Sequence, residues 1–500
     1  QTQRALSVLY ISASNVPLGK FHALAEIAAP MGITVHQRSL QSLPDGVEAG
    51  ALPSADLLVI DAYQEEQVQS KLGRAFSAGL QRPYLWHLEK APQGGGLPND
   101  LVQQLTAYYL NGGKSNFHNY FKTLRRWHDG QGLDGIAAPV VYPKSGIYHP
   151  HASERIFASA EEFLAWKQLK REQLPPVVAI NFHQQQLAGL QTEVIEDLVE
   201  RIEKAGALAM PYFNPAADDE AHRRLLTNSG KRVADVLINT RIMLNAQGSR
   251  QAYESLGIPV IQATTYRRGS AQDWENDPQG IPAMDLPLYV AQPEFTGISD
   301  IQIASAVDGR SGSALPIDAQ AQSVVNKALN LVQLQRKRNA DKHVSLFFWN
   351  SPPGEKNFGS AFMNLPDSLR NALSAMQAAG YTVEVPEQQR LISQMQSLLT
   401  HIYRESSLAE LLDQGLAETL PVDDYLHWLA QQPASVRKEV DARWGDAARS
   451  DMVIEHQGRK VFVIPRLKLG NIAVLPQPPR SDKRDDQEKA LYHSLSSVPT

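Results

Sequence analysis

Three helices in the sequence are predicted to end at a glycine that leads directly into a strand. The junctions are Met31-Gly32-Ile33, Ala205-Gly206-Ala207 and Ala379-Gly380-Tyr381. Glycine ends helices because it adopts the left-handed backbone conformation without a steric cost. A helix that returns at once to a strand is typical of α/β units, so these junctions predict several α/β units rather than one sheet.

Short apolar runs that predict buried strands alternate with helical patterns over much of the chain. The predicted strands cover residues 5–12, 33–35, 57–61, 82–87, 177–182, 208–213, 236–239 and 259–262. A helix between successive strands favours parallel pairing in a doubly wound sheet, which binds ligands at the carboxyl ends of its strands. We therefore predict an α/β fold with several doubly wound, mostly parallel Rossmann-like units.

The C-terminal part of the chain has a different character. Residues 391–418 and 423–443 are predicted to be helical with little strand signal, and residues 461–464 return to a strand. A chain of 500 residues exceeds one hydrophobic core. The predicted domains are an N-terminal α/β domain over 1–172, a second α/β domain over 173–340, and a third α/β unit with a mainly helical segment over 341–500.

Composition excludes several classes of function. The net charge of -5 and the pI near 6.3 argue against a nucleic-acid partner, because binding DNA or RNA requires a basic surface. The absence of cysteine excludes disulfides, thiolate catalysis and cysteine-ligated metal clusters. The apolar runs are strand-sized, so the sequence predicts no membrane span.

Residues 344–381 predict a strand, loop and helix of the kind that forms a binding site. The segment WNSPPGEKNFGSAFMNLPDSLRNALSAMQAAGY follows the apolar strand 344–348. It resembles the PPGKGNxG…LxxPxSLxxxLxxLxxxGY pattern in the large subunit of cobaltochelatase and magnesium chelatase, the CobN/BchH family. The resemblance implies that Lys356, Asn357 and Gly359 contact the bound macrocycle or its carboxylates.

The resemblance extends over nearly all of the chain and is strongest from residue 255 onward. Residues 146–150, GIYHP, match a motif of the family, and residues 293–297, PEFTG, are similar to its VALPEFDG signature. Residues 470–480, GNIAVLPQPPR, are similar to its GNxxVxPQPPRG. The family pattern continues beyond Thr500, so the chain resembles only the N-terminal part of such a subunit.

The resemblance implies a subunit that binds a tetrapyrrole and inserts a divalent metal, cobalt or magnesium, into a corrin or porphyrin ring. The metal and the tetrapyrrole are then substrates, and ATP is used only through separate AAA-type ATPase partner subunits. Residues 112–115, GGKS, do not form a phosphate-binding loop, because position 108 is tyrosine rather than glycine and a helix precedes the run.

Metal insertion requires a base that removes two pyrrole protons, and carboxylates and imidazoles are suited to that task. The similarity of PEFTG to the family signature implies that Glu294 is the favoured base, and a strand predicted over 288–291 places Glu294 at a strand end. A structural or solvated role for this glutamate is an equally good interpretation.

His149 and His183 are the candidate metal ligands or proton relays. A histidine before Pro150 is equally well explained by a hydrogen bond to the backbone. His151 supplies a second imidazole, but no nearby carboxylate completes a ligand set. His183 follows the strand 177–182, where a capping role also stays open.

Two arginines and a tryptophan are candidate contacts for the macrocycle and its carboxylates. Arg241 departs from the family's NATxFS loop, so it either pairs with a propionate-like carboxylate or marks a changed substrate. Arg267 follows the strand 259–262, and it is also explained as a solvated loop residue. Trp274 lies at the family's spacing before the PEFTG motif.

Two other functions fit the same residues. One is removal of metal from a tetrapyrrole, or uptake of a metal complex, in the cell envelope. The other is a non-catalytic protein whose α/β lobes clamp a small ligand. The chain begins at Gln1 and has no cysteine, which suits a periplasmic protein, whereas the resemblance implies a cytoplasmic one.

Overall fold

The structure is a computed structural model that describes residues 5–88, 90–298, 300–350, 354, 359–360, 363–403 and 407–478. It divides into two compact units, Gln1–Gln333 and Leu334–Thr500, called the first and second units below. Both units combine sheets with helices, which confirms the predicted α/β class. The predicted domain boundary near residue 172 stays a prediction. None of the described helices is both long and apolar enough to cross a membrane.

The first sheet has five strands in the order β2-β1-β3-β4-β5. They are β1 (Leu6–Ser12), β2 (Ile33–Ser39), β3 (Leu57–Asp61), β4 (Tyr84–Trp86) and β5 (Gln93–Gly95). Strands β1 to β4 are parallel and β5 is antiparallel. The helices are α1 (Leu18–Ala28), α2 (Glu65–Ser77), α3 (Asn99–Asn111) and α4 (Gly113–His128). Every residue of β3 is buried because helices cover both faces of the sheet, which explains its apolar sequence.

The second sheet has seven strands in the order β14-β13-β12-β11-β7-β8-β6. The strands of this region, including the hairpin of β9 and β10, are β6 (Gly146–Ile147), β7 (Val177–Asn181), β8 (Leu208–Phe213), β9 (Thr227–Asn228), β10 (Lys231–Arg232), β11 (Val236–Asn239), β12 (Val260–Tyr266), β13 (Asp300–Val307) and β14 (Ala314–Pro316). The five central strands are parallel, and β6 and β14 are antiparallel edge strands.

Eight helices belong to the part of the chain that forms the second sheet. They are α5 (Ala160–Trp166), α6 (Gln184–Ala188), α7 (Glu193–Lys204), α8 (Glu220–Leu226), α9 (Ala246–Leu256), α10 (Ala271–Asn276), α11 (Gln292–Phe295) and α12 (Asp318–Arg336). Helix α7 buries an apolar stripe whose members recur at three- and four-residue spacing, namely Val194, Ile195, Leu198, Val199 and Ile202. Gly206 then takes a φ of 82° before β8, as the glycine junction predicts.

The described residues of the second unit form shorter sheets and five helices. Its strands are β15 (Val344–Phe348), β16 (Gly359–Ser360), β17 (Met363–Asn364), β18 (Ala417–Pro421), β19 (Val453–His456), β20 (Arg459–Pro465), β21 (Leu467–Leu469) and β22 (Ile472–Pro476). Its helices are α13 (Leu365–Ala378), α14 (Gln388–Tyr403), α15 (Leu408–Asp413), α16 (Val422–Ala430) and α17 (Ala434–Trp444). The described strands pair as β15-β22-β21, β16-β17 and β18-β20-β19.

Two predictions for the second unit are wrong. Gly380 ends α13 with a φ of 86°, but no strand follows it, because Thr382 accepts a single backbone hydrogen bond from Asn471 instead of joining a ladder. Residues 391–418 are not wholly helical either, because β18 begins at Ala417 and pairs with β20. Strand β18 is stabilised by pairing with β20, 40 or more residues further along the chain, and such pairing produces no periodic pattern in the local sequence.

Candidate functional site

The second sheet changes its winding direction at the carboxyl ends of β7 and β11. Strand β7 has β8 on one side and β11 on the other, and α7 and α9 cover opposite faces. Asn181 ends β7 and Asn239 ends β11, and the two residues are direct partners in register. Open α/β sheets bind ligands in the crevice at such a point, so this edge is the candidate functional site.

Arg241 lies just beyond the end of β11 and is 9% exposed. Its Nη1 atom donates to the backbone oxygen and to the side-chain oxygen of Asn214, each at 2.9 Å, and lies 3.5 Å from Oδ1 of Asn181. Burial lowers the pKa of Arg241, and nearby tyrosines and Asp219 only partly offset this effect. The prediction that Arg241 contacts substrate is consistent with this position at a ligand-binding edge.

Arg241 lines a small, partly open cleft together with residues of α8, α9 and the adjoining loops. The other polar lining residues are Asn181, Asn214, Asp219, His222, Asn245, Ser249 and Tyr253. His222 is buried, its Nδ1 lies 2.6 Å from the hydroxyl of Tyr212, and burial lowers the pKa of His222 to about 4. Burial also raises the pKa of Tyr253. Sequence reasoning missed His222 and Tyr253 because they lie inside helices that carry no motif.

His183 follows β7 and caps the helix α6. The Nδ1 atom of His183 accepts a hydrogen bond from the backbone N–H of Gln185 at 3.1 Å, and the backbone N–H of His183 donates to the side-chain oxygen of Gln186. Burial and the charge of Arg241 lower the pKa of His183. The capping role that the sequence left open is therefore present, and His183 lies close enough to Arg241 to be affected by its charge.

His149 lies at a different edge of the second sheet. It follows the edge strand β6 and is fully buried. Its Nε2 lies 3.0 Å from Oε1 of Glu203 in the last turn of α7, and its Nδ1 accepts from the backbone N–H of His151 at 3.2 Å. The last turn of α7 leads to the amino end of β8, whereas His183 follows the carboxyl end of β7. One metal ion cannot therefore contact both histidines.

A potential group of metal ligands nevertheless forms around His149. His149, His151 and Glu203 each place one ligand atom within 4.8 Å of the others. The sequence did not indicate this carboxylate because Glu203 is 54 positions from His149. Lys167 donates to the same oxygen of Glu203 at 2.6 Å, so a metal ion would have to displace the lysine ammonium. It would also require the proton on Nε2 of His149 to leave.

Glu294 lies on a helix rather than at the end of a strand. Pro287–Ala291 form a π-helical turn that continues into α11, so the strand predicted here is wrong. Four apolar residues do not distinguish a strand from a helix, and a proline in the first turn of each helical segment favours the helix. The side chain of Glu294 is exposed to solvent.

The segment around Glu294 exposes several large apolar side chains. They are Met284, Leu286, Leu288 and Phe295. Phe295, the neighbour of Glu294, is 72% exposed. The guanidinium of Arg267 lies over the ring of Tyr289 at 5.1 Å, which joins this segment to the end of β12. Exposed apolar side chains mark binding surfaces, so the segment that carries Glu294, and that Arg267 contacts through Tyr289, is a candidate binding surface.

Trp274 lies in α10 and is partly buried. It packs against an apolar cluster formed by Tyr266, Ile303, Ala306 and Ile317. Trp274 therefore has a packing role beside the second sheet. Its contact with substrate stays a prediction.

The predicted contacts in the second unit receive less structural support. Lys356 and Asn357 lie outside the described residues. Gly359 begins β16 and pairs with Asn364, the residue that leads into α13. The predicted roles of these three residues in binding a macrocycle stay predictions.

The chain is similar to known proteins in sequence and in structure. A family model described as CobN/Magnesium Chelatase matches residues 106–500. The aerobic cobaltochelatase subunit CobN of Sinorhizobium sp is 26% identical over 414 residues, which cover 79% of this chain and 31% of the relative. A magnesium-chelatase subunit of Rhodobacter capsulatus is 22% identical over 409 residues, which cover 74% of this chain and 32% of the relative.

A solved structure supports the same fold. The catalytic subunit of cobaltochelatase from Mycobacterium tuberculosis matches with a TM-score of 0.69 at 21% identity, over 95% of this chain and 39% of that chain. This chain spans about a third of the length of the two curated relatives. Because the family model covers most of the sequence, the chain belongs to the CobN/magnesium chelatase family.

Proposed function

We propose that this chain is the tetrapyrrole-binding portion of the large subunit of a CobN-type metal chelatase. In this proposal it holds a corrin or porphyrin ring while a divalent metal, cobalt or magnesium, replaces the two pyrrole protons. The observation that carries the proposal is the exposed carboxylate of Glu294 on a segment that exposes Leu288 and Phe295 and that contacts Arg267 through Tyr289. A flat apolar ring whose N–H groups must lose protons requires a base on an apolar surface.

Each part of this surface has a chemical role in the proposal. Leu288 and Phe295 cover a face of the ring, because removing apolar area from water contributes about 25 cal/mol per Å². Glu294 accepts the two displaced protons one at a time and releases each to water, because its side chain is exposed to solvent. Arg267 contacts a carboxylate at the periphery of the ring, since a guanidinium forms charge-assisted hydrogen bonds with such groups.

Partner subunits of the AAA ATPase type supply the energy in this proposal. The sequence of this chain contributes no nucleotide-binding motif that would let it do so alone. Its GGKS run, residues 112–115, joins the end of α3 to the start of α4, whereas a phosphate-binding loop follows a strand.

Absorption titrations of the purified chain with a metal-free corrin, protoporphyrin and haem test the proposal. We expect saturable binding of a metal-free ring, with a shift of its visible or Soret bands. Binding of haem alone would favour the metal-removing function instead. A chain that binds none of the three would contradict the proposal. Tight binding that never leads to metal insertion, with partner subunits and ATP present, would favour a non-catalytic binding protein.

A further inference from the structure

The cleft at the carboxyl ends of β7 and β11 contains a buried guanidinium without an anionic partner. The acceptors of Arg241 are neutral oxygens of Asn181 and Asn214, and no ion pair among the described residues includes Arg241. Burying an unpaired charge is costly, because water solvates it better than amide oxygens do. Asp219 lines the same cleft, but its carboxylate accepts hydrogen bonds from Asn245 and Ser249.

The free side of the guanidinium suits a planar anion with two oxygens. All side-chain hydrogen bonds of Arg241 come from Nη1, so Nε and Nη2 have no partner in the part of the chain that the structure describes. These two N–H groups point in nearly parallel directions and can donate to both oxygens of one carboxylate.

Two other side chains offer hydrogen-bond donors to the cleft. The hydroxyl of Tyr253 is buried and has no hydrogen-bond partner among the described residues. Its ring packs edge-on against His222 at 5.1 Å. The Nδ1 of His222 is held by the hydroxyl of Tyr212, which leaves Nε2 for a ligand. Because burial lowers the pKa of His222 to about 4, this histidine adds a donor rather than a charge at neutral pH.

We infer that this cleft binds one ionised carboxylate of the ligand on the Nε and Nη2 atoms of Arg241, with the hydroxyl of Tyr253 as a second donor. The inference rests on the proposed function in taking that carboxylate to be a side chain of the tetrapyrrole. An amide or ester is disfavoured because it brings no negative charge to the buried guanidinium. Arg241 and Tyr253 therefore select rings with free acid side chains over amidated or esterified rings.

Titration of a porphyrin dicarboxylic acid and of its dimethyl ester into the purified chain tests this selectivity. We expect the diacid to bind about ten-fold more tightly or better, the effect of one charged hydrogen bond. The preference is expected to fall below about two-fold in Arg241→Gln and to weaken in Tyr253→Phe. Arg250→Gln, at an exposed arginine of α9, is the matched control and keeps the full preference. An unchanged preference in both cleft variants overturns the inference.

A second measurement separates this inference from the proposed function. Sodium propionate, compared with sodium chloride at equal ionic strength, is expected to raise the Tm of the wild-type chain and of Arg250→Gln, but not of Arg241→Gln. A propionate effect without binding of the metal-free corrin, protoporphyrin or haem supports the carboxylate site and refutes the tetrapyrrole function. Porphyrin binding with neither a preference for the diacid nor a propionate effect supports the tetrapyrrole function and refutes the carboxylate site. If Arg241→Gln does not fold, Tyr253→Phe decides, because that hydroxyl has no hydrogen bond to lose among the described residues.

Discussion

Lys20 and Asp61 form an ion pair with a separation of 2.7 Å at the carboxyl edge of the first sheet. Asp61 ends β3 and Lys20 lies in the first turn of α1, so the pair occupies the point at which an open sheet binds ligands. The hydroxyl of Tyr109 donates to the same carboxylate oxygen at 2.7 Å. The first sheet fills this edge with its own side chains, whereas the second sheet keeps an open cleft there.

Replacing Asp61 with asparagine is expected to destabilise the first unit by about 3–5 kcal/mol, because Lys20, whose side chain is only 14% exposed, then loses its counter-charge. Burial by itself raises the pKa of Asp61, but Lys20 and Tyr109 outweigh it and hold that pKa below its usual value. Chemical denaturation measures the loss. Asp45→Asn is the control, because it breaks a pair with Lys71 in which the Asp45 side chain is 75% exposed. The control is expected to cost less than about 1 kcal/mol, and equal losses would contradict the prediction.

The first unit is also expected to lose stability as the pH falls from about 6.5 toward 3, because of His87. This histidine is buried between Thr106 and Tyr120, whose hydroxyls lie 2.9 and 3.2 Å from its ring nitrogens. Burial lowers the pKa of His87 to about 3, so only the unfolded chain takes up a proton over this range. One such group contributes a slope of about 1.4 kcal/mol per pH unit, and the stability is fully present above the unfolded pKa.

Denaturation midpoints between pH 4 and 6 measure that slope. His87→Gln is expected to reduce the slope by about 1.4 kcal/mol per pH unit, because the unfolded chain then takes up one proton fewer. His222 of the second sheet, whose pKa burial also lowers, contributes to the slope that remains. The exposed His118 of α4 provides the matched control, and His118→Gln is expected to keep the wild-type slope. A slope that is the same in His87→Gln and in the wild type would show that His87 is not the source.

The sheets were predictable from the sequence to the extent that their strands are continuous apolar runs. Strands β3 and β7 are buried on both faces, and each is a short apolar segment that ends in a polar residue, Asp61 or Asn181. His183 and Arg241 follow the ends of β7 and β11, as the sequence predicts, and their roles in binding stay predictions. The sequence also placed Glu294 at a strand end, which the π-helical turn before α11 shows to be wrong.

The contacts that complete each site were not predictable, because they join residues far apart in the sequence. Glu203 reaches His149 across 54 positions, and Asp61 reaches Lys20 across 41. Helical and strand periodicities extend over a few residues, so they locate faces and ends but not partners. That Arg241 has no ionic partner among the described residues is likewise a property of the folded sheet edge.

Removing the ammonium of Lys167 tests whether His149, His151 and Glu203 can hold a metal ion. Lys167→Met is expected to tighten Co²⁺ binding by about ten-fold or more, because Lys167 now pairs with the oxygen that a metal would use. Cobalt absorption bands report the binding directly. The exposed Lys170 supplies the matched control, and Lys170→Met is expected to leave Co²⁺ affinity unchanged. If Lys167→Met and Lys170→Met bind Co²⁺ equally, the group is not a metal site. The same follows if adding His149→Gln to Lys167→Met leaves the tightened binding unchanged.

Replacing Glu294 with glutamine tests the proposed base without disturbing the fold, because the side chain is exposed on α11. Porphyrin or corrin affinity is expected to stay within about three-fold, since the apolar surface around Leu288 and Phe295 is unchanged. Metal insertion, followed by absorption in the presence of partner subunits, is expected to slow by about 10²- to 10⁴-fold, the usual contribution of a positioned base. Glu275→Gln, at an exposed glutamate of α10, keeps the wild-type rate. Insertion at an unchanged rate in Glu294→Gln would remove this carboxylate from the mechanism.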